Sequence, residues 1–276
     1  MTGRETIVIE TADDPRIAEF RALRDRDLVG REGRFIAEGT VVLRMLAAAH
    51  AAGGEFVAEK ILLLRNRLQG VADIVASFPA DVPVYVADSD VLDQIAGFHM
   101  HRGVLGLGRP AGGLSLAARL DRLPESALVV VGAGLSNHDN VGSIFRNAAA
   151  FGANGVLLDQ TSCDPLYRKA LRVSVGSVLS VPFCREASAM EILTALAERD
   201  FAIWGLSPRG EADIRAVPPA RRMALVVGTE GEGLPPQILS GFHTARIAQV
   251  PGLDSLNVAT ATGIALYQIA TSMGRI

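Results

Sequence analysis

The chain has 276 residues, 49% of them hydrophobic and 21% charged, and a net charge of −3: a soluble globular composition with room for one large or two ordinary domains. That charge gives no global signature of nucleic-acid binding, so any such site has to be a local patch, and no apolar run reaches the length of a membrane span. Met1 to Asp14 lacks the apolar core of a signal peptide, which makes the cytoplasm the expected location, and two isolated cysteines, Cys163 and Cys184, fit reduced packing there.

In chain order, residues 15–28 predict a helix that opens at Pro15 and sets Ile17, Phe20, Leu23 and Leu28 on one side. Arg31 to Ile36 reads as a strand leading into Glu38-Gly39-Thr40, with Thr40 as cap of a helix over 41–52. Residues 59–64 and 82–86 read as further strands. A helix follows from Asp88-Ser89-Asp90 through Ile95, and then a strand over 104–107. Helices and strands thus alternate through an α/β unit of residues 1–110. Arg109-Pro-Ala-Gly-Gly113 breaks the pattern, so residues 111–125 are assigned as a linker and 126–276 as a second domain.

Strands become more apolar after that boundary, at 127–131, 155–158, 201–206 and 223–227, with helices expected over 141–151, 164–172 and 188–199. Buried strands alternating with helices argue for a largely parallel sheet covered on both faces. Ligands of such sheets lie at the loops leaving the carboxyl ends of the strands. Three stretches at those places carry the unusual chemistry: 132–147, 228–234 and 247–257.

In the first stretch, Gly132 and Gly134 begin a dinucleotide fingerprint, but the third glycine position holds Asn137, and a dehydrogenase is set aside. Val141, Ile144, Ala148 and Phe151 recur at helical spacing, while Arg146 and Asn147 sit amid alanines. An Arg buried in so small-residue a helix calls for a partner or a ligand. Asn140 is a candidate N-cap of that helix. His138 and Asp139 are open to an acid/base role or to ordering the loop. The second stretch, Val227-Gly-Thr-Glu-Gly-Glu-Gly-Leu-Pro235, has glycines that let a backbone approach a ligand, and Glu230 and Glu232 that would repel a phosphate. In the third, a loop enters a helix at Ser255, a good N-cap residue; Ala259, Ala261 and Gly263 keep that helix slim, and Asn257 in its first turn is harder to explain as a helix former. His99 and His101 lack companion ligands at useful spacing, so no metal is expected.

In this order and spacing the three stretches resemble the SpoU/TrmH family of S-adenosylmethionine-dependent RNA 2′-O-ribose methyltransferases, in the SPOUT superfamily. The match runs through Asn140, Arg146, Asn147 and Ala148-Ala-Ala-Phe-Gly152, then Gly228-Thr-Glu-Gly-Glu-Gly-Leu234, then Ser255-Leu-Asn-Val258. Phe35-Ile-Ala-Glu-Gly39 and His101-Arg-Gly-Val104 resemble, more weakly, the ribosomal-protein-like substrate domain often attached to the family. The resemblance implies an α/β fold with a C-terminal trefoil knot, a homodimer, and S-adenosylmethionine as methyl donor. It places Arg146 at the family's catalytic arginine, surrounded by Asn140, Glu230, Ser255 and Asn257. It also implies donor contacts from Val227, Gly228, Thr229, Gly231, Gly233, Ile247, Gln249, Ser255 and Leu256. One departure stands out: where the family usually has Ile-Pro-Met, this chain has Ile247-Ala248-Gln249, followed by Val250-Pro251-Gly252.

The implied reaction moves a methyl group from sulfonium to a ribose 2′-oxygen, which needs alignment and removal of a weakly acidic proton. Because a guanidinium normally stays protonated, Arg146 is expected to pair with the 3′-phosphate and polarise the hydroxyl, with Ser255 and Asn257 fixing its orientation. Ribosomal RNA is favoured over transfer RNA as substrate, docked by Arg21, Arg24, Arg31 and Arg34, a patch that Asp25, Asp27 and Glu32 dilute. The alternatives are a SPOUT enzyme that methylates a base, and a non-catalytic knot-fold paralogue that binds RNA.

Overall fold

The computed structural model describes residues 4–21, 25–96, 103–250, 252 and 255–276. Contacts divide the chain into two compact units, the first built from residues 1–113 and 166–180, the second from 114–165 and 181–276. Residues 166–180, read from sequence as part of a continuous second domain, therefore pack within the first unit.

The first unit contains β1 (Ile7–Ile9), α1 (Asp25–Glu32), β2 (Phe35–Glu38), α2 (Thr40–Ala51), β3 (Phe56–Leu64), α3 (Ala72–Ser77), β4 (Val84–Ala87), α4 (Ser89–Ala96) and β5 (Val104–Pro110). Its five strands run in the order β1-β4-β3-β5-β2; β1, β4 and β3 are parallel, whereas β5 pairs antiparallel with both β3 and β2. Three local expectations fail here. The helix expected over 15–28 is a 3-10 turn, Pro15–Phe20, bent at Ile17, followed by the separate α1. That helix runs on through Glu32, so β2 starts only at Phe35. Thr40 lies inside α2, whose cap position is Gly39 with φ +94, and no side chain caps it.

The second unit contains α5 (Leu116–Asp121), β6 (Ala127–Gly132), α6 (His138–Ala150) and β7 (Gly155–Asp159); α7 (Arg168–Val173) then belongs to the first unit. The second unit resumes with β8 (Phe183–Ala187), α8 (Ala189–Ala197), β9 (Ala202–Leu206), β10 (Ala212–Asp213), β11 (Arg222–Val227), α9 (Pro236–Gly241), β12 (His243–Arg246) and α10 (Val258–Ser272). Its seven strands follow the order β10-β12-β9-β11-β6-β7-β8, and every pair is parallel. β6, β7 and all of β11 beyond Arg222 are buried along their length, which is why these strands read as unbroken apolar runs. Helix α8 is fixed by a capping box in which Ser188 and Glu191 satisfy each other's backbone N–H groups. Because all seven strands point one way, the loops after β6, β7, β9, β11 and β12 leave the same edge of the sheet. Among the described residues no helix is long and apolar enough to cross a membrane.

Candidate functional site

Helix α6 begins at His138, with Asn137 as its N-cap: the Asn137 side chain accepts a hydrogen bond from Asp139 N at 2.9 Å. Asn140, expected as that cap, instead lies within the first helical turn and is 5% exposed. A buried amide must find partners, and Asn140 finds them on the other two stretches. Its Nδ2 donates to Glu230 Oε1, in the loop after β11, and its Oδ1 accepts from Asn257 Nδ2 at 2.9 Å. Asn257 Nδ2 also donates to Glu230 Oε1 at 3.1 Å.

Asn257 does a second job. Its Oδ1 accepts from Ala259 N (3.0 Å) and Thr260 N (3.2 Å), so it is the N-cap of α10. This overturns the assignment of Ser255 as the cap: the helix starts three residues later, and Ser255 stands exposed ahead of it. It also explains why a mediocre helix former occupies position 257. Two turns along α6 from Asn140, Asn147 donates to Ala259 O at 2.8 Å. A Cβ placed at Gly263 would come within 3.0 Å of Asn147 Nδ2, so the slimness of α10 serves the approach of α6.

The loop of residues 228–234 is a closed turn. Thr229 and Gly233 exchange backbone hydrogen bonds at 3.2 Å in both directions, while Gly231 and Gly233 take φ of +93 and +75. A Cβ at Gly228 would lie 2.2 Å from Gly233 O. The loop after β6 packs on it, since a Cβ at Gly134 would meet Thr229 Cγ2 at 2.8 Å. Val227, at the end of β11, is buried, and its carbonyl accepts from Ala133 N at 2.9 Å.

A brace that the sequence reading overlooked holds the first loop. Buried Asp159, at the end of β7, accepts through Oδ1 from Gly134 N (3.0 Å), Ser162 N (2.9 Å) and Ser162 Oγ (2.6 Å), and through Oδ2 from Thr161 Oγ1 (2.7 Å). Ser162 Oγ accepts in turn from Leu135 N at 3.0 Å, and Cys163 N donates to Leu135 O at 2.7 Å. An aspartate closing an apolar strand followed by Thr161 and Ser162 was the available signal. It passes for an ordinary turn until its partners on the loop after the neighbouring strand β6 are known.

The SpoU rRNA Methylase family matches residues 127–267. An uncharacterised tRNA/rRNA methyltransferase of Mycobacterium bovis is 38% identical over 274 residues, covering 93% of this chain and 88% of that protein. The chain belongs to the SpoU rRNA methylase family. It is thus an RNA methyltransferase of the SpoU type. Two solved structures resemble it across nearly the whole length. One, an AdoMet-bound rRNA methyltransferase from Sinorhizobium meliloti, has a TM-score of 0.80 at 24% identity and covers 96% of this chain and 98% of that one. The other is described as an RNA 2′-O ribose methyltransferase, with a TM-score of 0.78 at 25% identity, covering 98% and 100%. The doubly covered, largely parallel α/β architecture expected from sequence is the fold of these SpoU methyltransferases.

Arg146 is exposed on α6, with no hydrogen bond or ion pair among the described residues. The expectation of a buried charge is wrong, because Arg146 lies one position, about 100° of helical rotation, off the Asn140/Asn147 face. Ile247, Gln249 and Leu256 are half-buried on the loop between β12 and α10. Gln249 Oε1 is buried without a partner among the described residues, an acceptor left for a ligand's N–H.

Three of the four arginines assigned to RNA already have protein partners. Arg21 donates to Asp14 O at 2.8 Å and lies 3.7 Å from Asp13; Arg31 is 3.5 Å from Asp27; Arg34 is 2.7 Å from Glu59. Arg24, His99 and His101 lie outside the described residues. Among the described residues no His, Cys, Asp and Glu side chains gather as a metal site. Both cysteines are free thiols, and burial, aided by Asp164 for Cys163 and Glu186 for Cys184, pushes each up to about 11.

Proposed function

We propose that the protein transfers a methyl group from S-adenosylmethionine to a ribose 2′-hydroxyl of structured RNA, ribosomal before transfer RNA. The observation that carries this reading is the hydrogen-bonded set Asn140–Glu230–Asn257, which joins α6, the β11 loop and the head of α10 into one polar centre. The solved RNA 2′-O ribose methyltransferase of like fold supports ribose as the target, and the rRNA methyltransferase from S. meliloti supports the choice of RNA.

S-adenosylmethionine is the methyl donor of SpoU methyltransferases, and it supplies an electrophilic methyl carbon on a positively charged sulfur. The residues present fit it. The loop of Gly228, Gly231 and Gly233 leaves its backbone bare, Glu232 favours a cationic ligand, and Gln249 Oε1 is an unused acceptor for an amine. Replacement of the usual Ile-Pro-Met by Ile247-Ala248-Gln249 thus introduces a polar contact into the donor loop. We assign Val227, Thr229, Ile247, Ser255 and Leu256 to the same binding surface.

Exposed Arg146 meets the RNA phosphate beside the target ribose; a free guanidinium fork suits bidentate contact there. Ser255 supplies an exposed hydroxyl to orient the ribose. Asn257 does not touch RNA in this scheme, because its oxygen and its amide nitrogen are both engaged within the protein. It aligns Glu230 and Asn140 instead. The first unit docks the RNA: exposed ion pairs such as Arg31 with Asp27 are worth under about 1 kcal/mol, so phosphate can displace the carboxylate.

The reading further includes a cytoplasmic homodimer whose C-terminal segment passes through the family's trefoil knot. Its subunits meet on α10, where Ile264 (42% exposed) and Tyr267 (56% exposed) stand three residues apart, and Phe151 at the end of α6 packs edge-on against Tyr267 at 5.8 Å between ring centres. The test uses ribosomal and transfer RNA from a strain lacking the gene, labelled donor, and nucleoside analysis of the digest. A 2′-O-methylnucleoside is expected, and a 2′-deoxy target nucleotide should abolish transfer. A ring-methylated base would refute the ribose assignment, and no transfer into total RNA would refute catalysis.

A further inference from the structure

The polar centre leaves one of its own atoms unused. Glu230 Oε1 accepts from both Asn140 and Asn257, whereas Glu230 Oε2 has no partner among the described residues, and the side chain is exposed. The two amides cannot rotate away. Asn257 is held by its capping bonds to Ala259 N and Thr260 N, and Asn140 by burial in α6. The backbone under Glu230 is fixed by the turn between Thr229 and Gly233. Two helices and a closed loop thus orient one carboxylate by one oxygen and leave the other oxygen available.

Removing a hydroxyl proton needs an acceptor in a defined place. A guanidinium has five donors and no acceptor, and amides are too weakly basic, which excludes Arg146, Asn140 and Asn257. Glu230 is the carboxylate of the set. Resting on the ribose reading above, we propose that Glu230 Oε2 is the proton acceptor for the 2′-hydroxyl. The ribose oxygen bonds to the methyl carbon, the carbon–sulfur bond breaks with its electron pair left on sulfur, and the hydroxyl proton passes to Oε2. One positive charge and one negative charge disappear together, leaving a neutral thioether and a carboxylic acid that later returns its proton to water. Asn140 and Asn257 are positioning residues for this step. Their two N–H groups hold the carboxylate from one side, so that its other oxygen can accept the proton.

The test is Glu230→Gln in the full chain, because glutamine keeps an oxygen for the two amides and loses only the basic one. We expect kcat to fall about 10²- to 10⁴-fold, the range for loss of a general base. Donor affinity by calorimetry and the melting temperature should both stay close to wild type. In the wild type, kcat/KM should rise with pH along an acid limb, since the base works deprotonated, and that limb should vanish in the variant. The other titratable or charged groups on the same elements are His138, Asp139 and Arg146 on α6, Glu232 on the loop and Tyr267 on α10. A kcat within about tenfold of wild type overturns the proposal, as do an acid limb that survives in Glu230→Gln and a loss carried by donor affinity. A wild-type chain that methylates a base on a 2′-deoxy target fails the ribose reading itself, and this inference falls with it.

Discussion

Asp159→Ala is the sharpest test of how the site is held, because it removes a side chain that touches no substrate in the proposed scheme. In the wild type this one carboxylate receives Gly134 N, Ser162 N, Ser162 Oγ and Thr161 Oγ1, all within 3.0 Å. The two hydroxyls can turn to other acceptors after truncation, and Ser162 N keeps the Asp159 carbonyl at 3.1 Å, but Gly134 N loses its acceptor. A buried N–H without an acceptor costs about 1–3 kcal/mol, so a loss of that size is expected, near the lower end if water enters the space left behind. That is a large share of a domain's total stability of about 5–15 kcal/mol. The chain has a single tryptophan, Trp204, buried on β9, so its fluorescence in a urea titration follows the second unit. The midpoint should fall with little change in slope, and donor affinity should weaken because Gly134 packs on Thr229 of the donor loop. Asp159→Asn retains one acceptor oxygen and should lose distinctly less. A shift worth under about 1 kcal/mol for Asp159→Ala would show that the brace is incidental.

Gly228→Ala should raise the donor dissociation constant at least tenfold by calorimetry, since its Cβ would sit 2.2 Å from Gly233 O, whereas Gly231→Ala meets only the milder strain of φ +93; equal affinities for the two variants would refute a preformed loop. Arg146→Ala should change stability by less than about 0.5 kcal/mol, as an exposed side chain without protein partners, while cutting methyl transfer at least 100-fold with donor affinity kept. Arg146→Lys retaining most of that activity would argue against bidentate phosphate contact. Cys163 and Cys184, pushed up to about 11, should react slowly with iodoacetamide at pH 8 in the folded chain and rapidly in urea; fast labelling of native Cys184 would contradict its burial.

The second sheet was legible where strands are buried on both faces. Val129, Val130 and Val131 in β6 and Leu225 to Val227 in β11 give unbroken apolar runs that admit few other readings. Three strands escaped notice for the opposite reason. β8 is an edge strand with Arg185 and Glu186 in its middle, β10 has two residues, and β12, His243–Arg246, buries only Thr244 and Ala245. Their pairing is decided by neighbours rather than by their own composition, which a single sequence does not display. The packing of residues 166–180 with the first unit is likewise a tertiary event: Gly176 sits against Met45, at a distance that only the absence of a Cβ allows.

The site shows a different limit. Residue types and spacing picked out Asn140, Arg146, Glu230, Ser255 and Asn257, yet they misjudged how three of them are used and left Asn257 unexplained. Burial was expected of Arg146 because its neighbours are alanines, but in a helix the neighbours in space are three and four residues away, and a shift of one position separates the Asn140/Asn147 face from solvent. Capping was assigned to Asn140 and Ser255 because both precede apolar runs, but Asn137 and Asn257 hold those positions. Once Asn257 is the cap, its remaining N–H groups are aimed by the helix itself, and both go to the pair Asn140 and Glu230. The residue that starts α10 is therefore also the one that sets the carboxylate. An Asn257→Asp variant separates the two duties: aspartate still caps the helix but replaces a donor to Glu230 by a like charge, so activity should fall far more than stability.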